Sequence, residues 1–132
     1  MKKNALLYSQ QRRKLLFDKN ASPERLISFG EMFLREGRLS EAAELFSKAS
    51  HEEGLAQLRA LAVEQGDSYL YAVASRGSEE AERKEAWERL GKKAMEMKRY
   101  SHAVRAFRKA GNEESQKAAE EALKEVLSID KT

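Results

Sequence analysis

His51 and His102 are the only histidines in the 132 residues, and they stand 51 positions apart. Neither has a second histidine at the spacing that would close around a metal ion. The run His51-Glu52-Glu53 could at most contribute to a weak surface metal site, and the competing reading is an exposed helix end. The chain has no cysteine, which removes thiolate metal sites, disulfides and a cysteine nucleophile. Its seven glycines (Gly30, Gly37, Gly54, Gly66, Gly77, Gly91 and Gly111) are isolated at turns or packing positions, so no phosphate-cradling loop is present. The 22 carboxylates are interleaved with 25 Lys and Arg, and pairs such as Glu88/Lys92 at i,i+4 read as surface ion pairs. A general acid or base needs a buried pocket to shift its pKa, and nothing in the sequence points to one. The expectation is a protein that is not an enzyme and carries no metal or cofactor.

The charge balance, +3, is too small to imply a polyanionic ligand, but it is laid out in blocks. Residues 1–20 carry net +5, 21–80 net −5, 81–110 net +6 and 111–132 net −3. Such banding suits docking against an oppositely banded partner, while solvated helical faces explain it equally well. In the +6 block, Lys92, Lys93, Lys98, Arg99, Arg105, Arg108 and Lys109 with Tyr100 and Phe107 could meet nucleic-acid phosphates and bases. Phe107 and Tyr100 fall at packing and turn positions, so nucleic acid stays a lesser alternative. No apolar run approaches the ~20 residues of a membrane span, and the opening residues lack a signal-peptide core. A cytoplasmic location is expected.

The positioning elements are helices. Proline occurs once, Ala, Leu, Glu, Lys and Arg dominate, and period-2 alternation is missing. Ser22-Pro23-Glu24 opens a helix, with Ser as N-cap and Pro at the first position. Gly37, Gly66, Gly77 and Gly111 are stops. Helices are predicted over roughly 23–37, 40–52, 55–65, 68–76, 79–97, 101–110 and 113–128. Short connections make neighbours antiparallel, giving stacked hairpins. Laid on itself with an offset of 61, the chain matches at nine of 26 positions between 29–54 and 90–115. Average composition would give about two. The matches include Gly30/Gly91, Ala42/Ala103, Phe46/Phe107 and Ala49/Ala110. Glycine and alanine on the two arms permit close backbone approach, and the phenylalanine four residues on can wedge into the seam.

Trp87-x2-Leu90-Gly91, Ala103-x3-Phe107 and Ala110 resemble the tetratricopeptide repeat family, whose 34-residue unit carries the same signature. Leu26-x2-Phe29-Gly30, Ala42-x3-Phe46 and Ala49 form an earlier copy. In family register the copies occupy 23–56 and 84–117, with Gly54 and Ser115 where the family often has proline. The segment between is shorter, has Arg59 where Gly30 would be, and loses the Ala-x3-Phe pattern in its second helix. The resemblance implies an all-α fold: a short right-handed α-solenoid of antiparallel helical hairpins. Two units would flank a shortened, degenerate one, all within a repeat domain over 21–132. Helix 113–128, with its stripe Ala119, Ala122, Leu123, Val126 and Leu127, would cap it. Residues 1–20 are a basic arm or helix.

Such a solenoid holds a peptide or helix on the concave face lined by the first helix of each pair. The resemblance places Ile27, Glu31, Leu34 and Arg35 there from the first unit, Val63 and Glu64 from the middle, and Glu88, Lys92 and Met95 from the last. Its function would be an adaptor, chaperone or scaffold that binds another protein. The alternative is a scaffold built by self-association, as a homo-oligomer.

Overall fold

The computed structural model describes residues 2–79 and 84–130. Among them all regular structure is helical: α1 (Lys2–Phe17), α2 (Pro23–Arg35), α3 (Leu39–Lys48), α4 (Glu52–Gln65), α5 (Ser68–Ala74), α6 (Lys84–Glu96), α7 (Tyr100–Ala110) and α8 (Glu113–Asp130). The predicted start of the fifth helix, at 79–83, falls mostly on residues 80–83, outside the described ones. The chain divides at 58/59 into two compact units.

Local chemistry sets the helix ends. Ser22 Oγ accepts from Arg25 N–H at 3.2 Å, with Pro23 at the first helical position. Three helices then stop in the same way. Arg38, Asp67 and Arg99 N–H donate back to Phe33, Ala62 and Ala94 carbonyls at 2.9, 2.8 and 2.8 Å. The residue before each has a left-handed backbone: Gly37 at φ +79°, Gly66 at +63° and Lys98 at +60°. This six-to-one bond closes a Schellman turn. Glycine takes the left-handed position freely at 37, whereas Lys98 holds it against the steric cost of its Cβ. The next helix begins at Leu39, not Ser40, because Arg38 takes the cap position without a side-chain cap bond. Its guanidinium is turned to Glu41, to Ser9 Oγ (2.8 Å) and to the face of Phe33 (4.8 Å).

In the first unit α2 packs on α3, and α1 packs on α3 from residues that sequence alone leaves undecided between arm and helix. Leu15 is buried, and Arg12 reaches Glu41 (3.5 Å) and Glu44. Lys48 Nζ caps the end of α1, donating to the carbonyls of Leu15, Leu16 (2.9 Å) and Asp18 (2.6 Å). Phe46 lies over Gly30, where a Cβ would collide with the ring.

The second unit repeats this design. Here α6 packs on α7, with Phe107 over Gly91, where a Cβ would stand 2.6 Å from the ring. At the end of α7 the left-handed residue is Gly111 (φ +70°), and at the end of α3 it is Ser50 (φ +52°), 61 positions earlier. His51 and Asn112 N–H then close onto Phe46 and Phe107 carbonyls at 2.9 and 3.0 Å. In addition α5 packs on α7 as α1 does on α3, and α8 packs on α7. Only Ala119 of the α8 stripe is fully buried; Val126 and Leu127 are exposed, so the last helix covers α7 without being covered itself.

Candidate functional site

His102, half-buried at the start of α7, sits in a polar cluster of the second unit. Ser68 N–H donates to its Nδ1 at 3.0 Å, with Ser68 Oγ 2.9 Å from the same nitrogen. Asp67 accepts from Tyr69 and Leu70 N–H at 3.1 and 3.0 Å. Between them Asp67 and His102 satisfy the first three amides of α5, groups a helix cannot bond internally. Arg99 Nη1 donates to Gln65 O at 2.6 Å, and its Nη2 lies 3.1 Å from His102 Nε2. Burial and the Arg99 guanidinium, helped by Arg105, lower the His102 pKa below its ordinary value, against the opposing pull of Asp67. A backbone N–H can only donate, so Nδ1 carries no proton and the ring is neutral while the cap holds.

Serine, histidine and aspartate are thus neighbours, but they do not form a proton relay. Ser68 and Asp67 both approach Nδ1 (Asp67 Oδ1 at 3.9 Å), whereas a relay needs hydroxyl and carboxylate on opposite ring nitrogens. The arrangement ties the end of α4, the start of α5 and the start of α7 together. His51 packs tilted against Phe46, with ring centroids 5.1 Å apart. Among the described residues no three His, Cys, Asp or Glu side chains gather closely enough to hold a metal ion.

The residues singled out for partner contact lie on the first helix of each hairpin. Within the first unit Ile27 and Leu34 are half-buried on α2, and Glu31 and Arg35 are exposed beside them. In the second unit Val63 is half-buried and Glu64 exposed on α4; Lys92 is exposed on α6, and Glu88 meets Lys84 at 4.0 Å. Met95 packs against the buried cluster of Ala94, Ala103, Phe107 and Ala119, so part of its surface serves the core.

A cleft of about 240 Å3 gathers some of these positions in the second unit. Ala60 and Val63 of α4, Tyr71 of α5, and Ala86 and Arg89 of α6 line it, with Arg59 at its edge. Arg59 Nη1 donates to Ala74 O at 2.9 Å. Tyr71 packs edge-on to Trp87, centroids 4.7 Å apart. Burial raises the Tyr71 pKa, an effect only partly offset by the nearby Ser75 side chain and the charges of Arg59 and Arg89, so the phenol is neutral. The structure brings Val63 to this cleft and leaves Glu88, Lys92 and Met95 off its lining.

Tyr71, Ala86, Arg59 and Arg89 were not legible as site residues. The signal was present, however. Shifted by 29, the trio Gly30, Ala42 and Phe46 becomes Arg59, Tyr71 and Ser75. Small residues turn large and the large one turns small. The basic 81–110 block is partly committed: Arg99 serves Gln65 and His102, and Arg105 stacks over Tyr69 at 4.4 Å. Phe107 is buried under α6 and offers no stacking face to a base. Among the described residues no helix is long and apolar enough to cross a membrane.

Set against family models, curated proteins and solved structures, the chain matches none of them.

Proposed function

We propose that this chain is a non-enzymatic protein-interaction module, an adaptor, chaperone or scaffold that takes a peptide or an amphipathic helix of another protein. The resemblance of its Gly–Ala–Phe hairpins to the tetratricopeptide repeat supports reading each hairpin as one unit of that family, with the first arm as the contact helix. The observation that carries the proposal is the cleft lined by α4 and α6. Its volume suits one or two side chains and falls short of a cofactor. Ala60, Val63 and Ala86 give it apolar walls, and Arg59 and Arg89 give it cationic edges. An apolar anchor with a carboxylate one turn away matches that pattern better than a strongly acidic tail does. The first unit offers a face of similar composition in Ile27, Leu34, Glu31 and Arg35.

A photo-crosslinking amino acid at Ala60, which is exposed and lines the cleft, tests this directly. In extracts of the native host it should form a discrete protein adduct. Excess unmodified chain should compete the adduct away, and Val63→Glu chain should not. Equal crosslinking from Ala118 on α8, or competition by Val63→Glu, would contradict the proposed site.

A further inference from the structure

Ser75, the residue that follows α5, is 1% exposed, and its hydroxyl has no hydrogen-bond partner among the described residues. A buried hydroxyl left unmatched in this way opposes folding, and few proteins keep one without a use for it. Ser75 stands 29 positions after Phe46, whose ring lies against both Gly30 and Gly54. A hydroxymethyl group is far smaller than a ring. Beside it opens a cleft of about 330 Å3, lined by Ala72, Ser75, Arg76, Trp87 and Lys109.

Two of the lining residues are cations. No carboxylate lines the cleft, and no ion pair among the described residues includes Arg76 or Lys109. Lys109 stands 61 positions after Lys48, whose ammonium is taken up by the carbonyls at the end of α1. At the end of α5 other groups do that work. The Ala72, Val73 and Ser75 carbonyls accept from Ser75, Arg76 and Ser78 N–H at 3.3, 3.5 and 3.0 Å, and Ala74 O accepts from Arg59 Nη1 at 2.9 Å. The carbonyls that a helix leaves open at its C-terminus are therefore closed without the Lys109 ammonium or the Arg76 guanidinium.

We propose that this cleft binds a phosphate dianion, free or carried as a monoester. Arg76 offers a planar fork to two of its oxygens, Lys109 a point charge, and the Ser75 hydroxyl a donor on the buried wall. Donors converging from three side chains suit a tetrahedral oxyanion better than a planar carboxylate. Residues 81–110, which include Lys109, carry net +6, a field that draws anions. No lining residue is shared with the cleft at Val63, so anion binding does not depend on that cleft holding a partner.

Trp87 is the single tryptophan of the chain, so its indole N–H signal in a nuclear magnetic resonance spectrum reports on the cleft without ambiguity. Inorganic phosphate, exchanged for chloride at constant ionic strength, should shift that signal along a saturating curve with a midpoint of about 1 mM. Arg76→Gln and Lys109→Gln alter exposed side chains. Each should keep the wild-type melting point in chloride and weaken phosphate binding by about tenfold or more. Ser75→Ala should weaken binding less, and its melting point in chloride should hold or rise, because no unmatched hydroxyl remains. A capped peptide bearing phosphoserine, run beside its unphosphorylated form, separates the two sources. Tighter binding than inorganic phosphate assigns the site to a phosphorylated side chain, and weaker binding assigns it to free phosphate. A wild-type signal that does not saturate overturns the proposal, as do Gln variants that bind like the wild type or a Ser75→Ala chain that melts lower.

Discussion

Within the second unit, hairpins α4/α5 and α6/α7 make the same turn from different materials. Both close with a six-to-one backbone bond of 2.8 Å over a left-handed residue, Gly66 in one and Lys98 in the other. In α6/α7 the arms are held by a steric key: Gly91 is bare so that Phe107 can lie on the α6 backbone. In α4/α5 the key is absent. Arg59 occupies the glycine position and Ser75 the phenylalanine position, and polar bonds replace the wedge: Arg59 joins the arms through Ala74 O, while Asp67 and His102 of α7 cap the first three amides of α5. An apolar wedge draws on burial, which pH does not touch. A staple that includes histidine draws on a lone pair, which acid removes. The stapled hairpin is also the one that leaves the cleft at Val63 open.

The largest expected effect is on the wedge. Gly91→Leu puts a branched side chain where even a methyl would stand 2.6 Å from Phe107, and it should cost about 3 kcal/mol, near the upper end for overpacking. Thermal unfolding followed by circular dichroism measures it, and an unchanged melting temperature would dissolve the distinction between wedge and staple. Arg59→Ala should cost less, about 1–2 kcal/mol, through loss of a charged donor to the last turn of α5. Denaturant titration with an unchanged slope is the check.

The third expectation concerns acid. His102 titrates lower in the folded chain than its ordinary 6.5, so the unfolded chain binds more protons as pH falls. The stability of its neutral form is fully present above that ordinary value and is lost as pH drops through it toward the folded value. His102→Asn, which keeps an acceptor near the Nδ1 position, should flatten the melting temperature between pH 7 and 5; an unaltered slope would assign the dependence elsewhere. The smallest effect should come from Lys98→Gly. It relieves the left-handed strain that Gly37 avoids at the matching position, for a gain of about 0.5 kcal/mol after the added freedom of the unfolded chain. Gly37→Lys should do the reverse.

Much of the helical framework was legible in the sequence, for reasons these residues make plain. Gly30/Phe46 and Gly91/Phe107 form pairs whose sizes only make sense together, and caps such as Ser22 and breakers such as Gly66 announce themselves locally. The middle hairpin was harder. A search for Ala-x3-Phe reads Tyr71-x3-Ser75 as a loss, although it is the same packing problem solved with Arg59. α1 was ambiguous because its hold on α3 is as much polar as apolar, through Ser9, Arg12 and its C-terminal carbonyls. Periodicity identified the apolar face of α8, but it says which side is greasy and not whether anything lies on it; hence Val126 and Leu127 were expected under cover and are in solvent. Of the contact positions, Val63 reached a cleft, and Met95 went partly to the core, because the same register serves packing and display.

Hydrogen exchange of the native chain, read as protection factors at pH 7 and pH 5, sets the two hairpins against each other in one experiment. The amides of α5 capped by Asp67 and His102 should lose protection at the lower pH, while those in the middle of α7, around Phe107, should keep theirs. Equal loss in both helices, or none in α5, would contradict the division between a stapled hairpin and a wedged one.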